Sequence, residues 1–213
     1  MPPPAPQDGS SSAAAEISPA GPAAGVLHDF DGRRLARIAP EFVRSLNATL
    51  HEAFGAEAPE LLYRTGFEWG LREVTALHHR LRDEFGESSD LWQMDARFVL
   101  ESWWKPLAAL GWGTCTLADL TPARGLTRIE VRGSLVVAAL EPAAQPVCHL
   151  YTGLFAGAFS FFDRAERHGA EIRCSTRGDE PCVFIIGPGS EIDAIETWRR
   201  QGANADEIAR RLK

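Results

Sequence analysis

The stretch Ala170-Glu171-Ile172-Arg173-Cys174-Ser175-Thr176-Arg177-Gly178-Asp179-Glu180-Pro181-Cys182-Val183-Phe184-Ile185-Ile186 reads as two short strands, 170–176 and 182–186, around a turn. Gly, Asp and Pro in the middle are turn formers, and the flanking runs are rich in strand residues. A hairpin of this kind brings Cys174 and Cys182 together. With Cys148 and Glu171 it gathers three thiols and one carboxylate, a donor set that closes a four-coordinate structural zinc site. No C-x2-C pair is present, and buried cysteines also serve as small hydrophobes. Glu171 and Cys174 are three residues apart and face opposite ways on a regular strand. Joint ligation therefore requires a bulge or an early strand end.

Outward from the hairpin, 147–168 has helical spacing. Leu150, Leu154, Ala158 and Phe161 lie on one side, and Gly153 and Gly157 on an adjoining one. Strands are predicted at 111–117 and at 127–140, the latter through Ile129, Val131, Leu135 and Val137. Helices are predicted at 40–54, 60–85 and 91–110, and two more at 190–200 and 203–212. Helices, strands, a helix and a hairpin, in that order, give an α+β fold with helices packed on an antiparallel sheet. Residues 1–28 are mostly Pro, Ala, Gly and Ser, with little to bury, and read as a disordered tail. The domain is then 29–189, followed by C-terminal helices in 190–213.

Gly66 and Gly70 fall one turn apart on the apolar stripe of the second helix. Glycine there costs up to about 1 kcal/mol each relative to Ala. Something must approach closely, either another helix or a flat ligand. The aromatic set, with six tryptophans, is either core or the wall of a slot for a large planar ligand. A glycine-faced helix with so many aromatics also suggests a homodimer.

The 213 residues suit one domain with a substantial core plus a tail. A net charge of -7 argues against broad nucleic-acid binding and against a polybasic membrane anchor. Four cysteines do not make a disulfide scaffold. No apolar run reaches the roughly 20 residues of a transmembrane segment, and no secretory signal is apparent. A reducing cytoplasm is the expected location, where thiols stay available for metal.

Gly187-Pro188-Gly189 after a strand resembles the opening of a dinucleotide fold, but Ile192 occupies the third glycine position and no ribose-binding acid follows. Ser190 as a helix cap with Asp193 explains the same residues. No NAD(P) or flavin site is recognisable. Asn204 and Glu207 suit a helix cap better than half of a DNA-reading unit. His168 is expected at a helix end, where the dipole favours a cation. His149 is a metal ligand, a hydrogen-bond donor or a core residue.

The runs Cys148-His149-Leu150-Tyr151-Thr152-Gly153-Leu154-Phe155-Ala156-Gly157, Glu171-Ile172-Arg173-Cys174 and Gly178-Asp179-Glu180-Pro181-Cys182-Val183-Phe184 resemble the 4-vinyl-reductase domain family, over roughly residues 60–187. The resemblance implies an α+β fold shared with trafficking-complex subunits and ligand-binding sensors. It implies zinc held by Cys148, Glu171, Cys174 and Cys182. Among stand-alone members, the chain is similar to those of bacteriochlorophyll synthesis in purple photosynthetic bacteria. That implies a tetrapyrrole ligand, a vinyl-bearing chlorophyllide or protochlorophyllide, whose 4-vinyl (8-vinyl) group is reduced to ethyl.

Such a ligand needs aromatic walls and cations for its carboxylates. Trp103, Trp104, Tyr151 and Phe155 are the expected walls. Arg64 or Arg72 would meet a propionate, and His149 would be an axial ligand to magnesium. Vinyl reduction needs a hydride or electron source, for which the chain has no recognisable motif. Either other pigment-synthesis enzymes supply reductant, or the protein is a substrate carrier. The alternative is a non-enzymatic, zinc-containing sensor or adaptor that acts through a protein partner.

Overall fold

The computed structural model describes residues 27–28, 34–86, 91–178 and 180–212. The chain divides after Arg37. In the first unit, β1 (Leu27–His28) and β2 (Arg34–Leu35) form a short antiparallel pair that the sequence reading did not anticipate. The tail predicted over 1–28 lies outside the described residues, apart from Leu27 and His28.

The second unit runs α1 (Pro40–Phe54), α2 (Ala58–Phe85), α3 (Ala96–Ala109), β3 (Thr114–Thr121), β4 (Leu126–Arg132), α4 (Leu135–Ala139), α5 (His149–Phe162), β5 (His168–Arg173), β6 (Cys182–Gly187), α6 (Gly189–Arg200) and α7 (Ala205–Arg211). The four longer strands form one antiparallel sheet in the order β3-β4-β6-β5. The fold is α+β, with helices on an antiparallel sheet, as the element order predicts.

Central strand β6 is buried along its whole length. Cys182, Phe184 and Ile186 join the larger core with Tyr151, Leu154 and Phe155 of α5. Val183 and Ile185 join a second core with Ile192 and Ile195 of α6 and Ile208 of α7. Burial on both faces explains why Cys182–Ile186 is continuously apolar rather than alternating. Strand β4 does alternate. Ile129 and Val131 face the larger core, while Arg128 pairs with Glu130 at 2.9 Å outside it.

Helices α2 and α5 are in direct backbone contact. A Cβ on Gly66 would land on the Leu150 carbonyl oxygen, and one on Gly70 on that of Leu154. Reciprocally, a Cβ on Gly153 would land on the Tyr63 carbonyl oxygen, and one on Gly157 on that of Phe67. The close neighbour implied by the glycine stripe is therefore a helix, not a flat ligand. Contacts this tight favour weak Cα–H···O bonds that offset the cost of four helical glycines.

Several local expectations are corrected. Residues 135–140 are not strand. Gly133 adopts φ +64°, Ser134 accepts a hydrogen bond from the Val137 amide, and Leu135–Ala139 turn into α4. A capping serine thus overrides the β-branched run. Helix α5 stops at Phe162, so His168 does not cap it. His168 opens β5 instead, its Nε2 3.6 Å from a Glu166 carboxylate oxygen. Ser190 is not a cap, because α6 begins one residue earlier after Pro188 with no side-chain cap. Asn204 and Glu207 do form the reciprocal cap of α7.

Candidate metal centre and ligand cavities

Cys148, Glu171, Cys174 and Cys182 are all buried, and their ligand atoms lie within 4.8 Å of one another. Each arrives from a different local device. Cys148 is the residue before α5 and its amide donates to Glu171 Oε2 at 2.9 Å. Glu171 lies in β5 opposite Phe184, whereas Arg173 lies opposite Val183, so β5 carries one extra residue between them. This bulge turns both Ile172 and Arg173 to the side of α6 and α7, where Ile172 is core and Arg173 bonds Asp206 at 2.7 Å. Cys174 then returns to the side of Glu171, just past the strand end. Cys182 opens β6 on the same face. Between them a 3-10 turn at Ser175–Arg177 closes on Gly178, whose φ of +87° suits glycine.

The cysteines are free thiols. The Sγ atom of Cys148 lies 4.0 Å from those of both Cys174 and Cys182, far beyond disulfide length. Thiolates about 2.3 Å from a tetrahedral zinc would be roughly 3.8 Å apart. Glu171 Oε1 is buried without a hydrogen-bond partner, as expected of an atom awaiting a ligand. The residues present fit a metal ion such as zinc, and the four protein donors leave no open coordination position.

Without metal the cluster shares protons. Hydrogen bonds from Cys148 and Cys182 favour the thiolate of Cys174 and pull its pKa far down. Those same bonds, with burial, hold Cys148 protonated. For Cys182 the bond to Cys148 acts downward, but the bond to Cys174 and burial outweigh it and push the thiol up to about 12. Burial, then the Cys174 charge, keeps the Glu171 carboxyl protonated.

The other candidate residues separate. Trp103, Trp104, Tyr151 and Phe155 are buried and packed on one another, with Trp104 and Phe155 stacked at 5.1 Å. The Tyr151 hydroxyl donates to the Trp112 carbonyl at 2.6 Å, and Trp104 Nε1 to the Gly113 carbonyl at 2.9 Å. These four residues form core here, and none opens to a cleft. Trp103 Nε1 is buried without a partner. His149 is half-buried, and burial, then Arg199, lowers its pKa, which keeps the imidazole neutral. Arg72 is exposed beside Glu68. Arg64 borders an open cleft.

That cleft has a volume of about 870 Å³ and is lined by Tyr63, Arg64, Phe67, His168 and Ile192 among others. Burial raises Tyr63 to about 12 despite its bond to the Gly169 backbone. A smaller apolar cavity of about 230 Å³ lies among α1, α2 and α5, walled by Val43, Leu62, Trp69, Trp112 and Leu150. Phe42 and Leu46 of α1 also line it and are exposed. Tyr63, Phe67 and His168 were not singled out from sequence as lining a ligand site. An i, i+4 aromatic pair beside Arg64 on α2 was the available signal.

Fold and cluster together define an α+β domain with a buried three-cysteine, one-glutamate metal-binding set. Residues 127–188, which include all four members, match the model of the 4-vinyl-reductase domain. The fold is similar to the phenol-responsive sensory domain of the transcription activator PoxR, solved with phenol. That likeness has 22% identity and a TM-score of 0.59, and covers 77% of this chain and 81% of that one. It is also similar to a trafficking protein particle complex subunit 3 from Naegleria fowleri, covalently bound to palmitic acid (14%, TM-score 0.50, 70% and 91%). A vinyl-4-reductase family protein from Methanocaldococcus jannaschii aligns at 15% identity with a TM-score of 0.40, over 69% and 92%. No curated protein matches the chain in sequence. Among the described residues, no helix is long and apolar enough to cross a membrane.

Proposed function

We propose that the protein acts in bacteriochlorophyll synthesis by binding a vinyl-bearing chlorophyllide or protochlorophyllide, and that it presents this substrate for reduction of the 4-vinyl (8-vinyl) group. The ligand class follows the sequence resemblance. The observation that carries the reading is the 870 Å³ cleft, which falls in the size range of cofactor pockets. Tyr63 and Phe67 offer aromatic surface there, the Arg64 guanidinium suits a propionate, and the His168 imidazole suits the magnesium. His168 takes the axial role that His149 was expected to fill.

Zinc in the cysteine cluster is structural in this reading. It ties α5 to β5 and β6 and supplies folding energy, because its coordination shell is filled by protein. Reductant comes from other pigment-synthesis enzymes, so this chain is the carrier. Absorbance titration of zinc-replete protein with protochlorophyllide tests it. A saturable Soret shift at one equivalent, weakened in both Arg64→Ala and His168→Ala, is the expected result. No spectral change, or a change indifferent to both substitutions, refutes it. Unreduced divinyl pigments in a deletion strain would support the pathway assignment.

A sensor or adaptor is the second reading, favoured by the 230 Å³ cavity, which suits a ligand far smaller than a macrocycle. Normal pigment in the deletion strain, with an apolar probe retained by this cavity, selects it.

A further inference from the structure

A second, polar concavity of about 480 Å³ lies where the metal-binding hairpin meets the C-terminal helices. Arg177 reaches it from the turn between Cys174 and Cys182, and Arg199 and Arg200 from the last turn of α6. The loop Gly202–Ala205 forms its floor. Among the described residues, Glu196 is the one acidic residue on this wall, and it bonds Arg199 Nη1 at 2.7 Å. Arg200 bonds the neutral Thr197 hydroxyl at 3.1 Å. Arg177 has no acidic partner among the described residues. Three guanidinium groups against one carboxylate leave an excess of two positive charges, in a chain whose net charge is -7.

We propose that this concavity binds a small multiply charged anion through Arg177, Arg199 and Arg200. The ligand carries at least two anionic groups, phosphate or carboxylate, since guanidinium forks recognise both in bidentate fashion. Like charges brought to one concavity repel unless a counter-charge sits between them, and field focusing in a recess strengthens its attraction for an anion. Two of the arginines are on α6 and one is on the hairpin, so a bound anion bridges the two elements.

Calorimetric titration at low ionic strength, with inorganic pyrophosphate in one arm and glutarate in the other, tests the site and separates the two chemistries. Metal content is measured before and after, so that chelation is not mistaken for binding. We expect saturable binding of at least one probe, weakening as salt is raised. Arg177→Gln and Arg200→Gln should each weaken it roughly tenfold, and Arg132→Gln on β4 should not. The substituted arginines are exposed, so folding should be unaffected, and circular dichroism checks this. Absence of binding by either probe at millimolar concentration overturns the proposal. So does binding that all three variants retain or lose equally.

Discussion

Glu171 and Cys174 face the same side of the sheet although three residues separate them, because β5 carries an extra residue between Glu171 and Arg173. Without that bulge the alternation of a strand would send the carboxylate and the thiol to opposite faces. Deleting Ile172 should therefore abolish metal binding. Ile172→Val, which preserves the residue count, should leave stoichiometry at one metal per chain. Metal analysis of tag-free protein decides between these outcomes.

Cys182→Ser should lose the metal and several kcal/mol of stability, since metal binding and folding are linked. Metal uptake must displace protons from Cys148, Cys182 and Glu171, so affinity should rise with pH and metal should be shed on acidification. Zinc release followed by a chromogenic chelator across a pH series would show this. Retention of zinc by Cys182→Ser would refute the assignment.

Cys115 lies outside the cluster, and burial, then Glu101, raises its pKa. Thiol reagent should label no cysteine rapidly in the native, metal-loaded protein and four after unfolding with chelator. Cys115→Ser should keep the metal.

Gly153→Ala and Gly70→Ala each drive a methyl into a backbone carbonyl of the opposite helix. Neither α2 nor α5 can yield locally, so each substitution should cost about 2–4 kcal/mol in urea unfolding. Gly178→Ala meets no atoms and suffers only its positive φ, so about 1 kcal/mol is expected.

Both tyrosines should resist ionisation. Burial raises Tyr63 to about 12 and Tyr151 further. The neutral phenol is the favoured form in the folded state. Its contribution to stability is thus complete below pH 10, the ordinary value, and is lost as pH climbs through about 12. Phenolate absorbance should be absent near pH 11 in the folded protein and present near pH 10 once it is unfolded.

The long elements were legible because their periodicity is strong. Pro40–Phe54 and the hairpin around Gly178 lie where spacing and turn chemistry put them. The metal set was legible as residue types, but its convergence depended on a bulge that no residue in Glu171-Ile172-Arg173-Cys174 announces. Leu135–Ala139 misled because β-branched residues mask a helix set by one serine. Trp103 and Trp104 could not be assigned to core or pocket, since a buried aromatic stripe and a ligand wall have the same periodicity. His168 was misplaced by a helix that stops well before it, at Phe162, so the cleft it lines was invisible from sequence.

The interlocked glycines of α2 and α5 also set an order of events during synthesis. Residues 86–148 separate the two helices, so α2 leaves the ribosome with its docking face bare long before α5 exists. Closing so long a loop before any contact rewards it makes this a slow pairing. The last of the four cluster residues, Cys182, emerges later still. A nascent chain halted before β6 should therefore remain protease-sensitive and chaperone-bound. Commitment to the native state awaits the hairpin, when helix docking and metal capture become possible together.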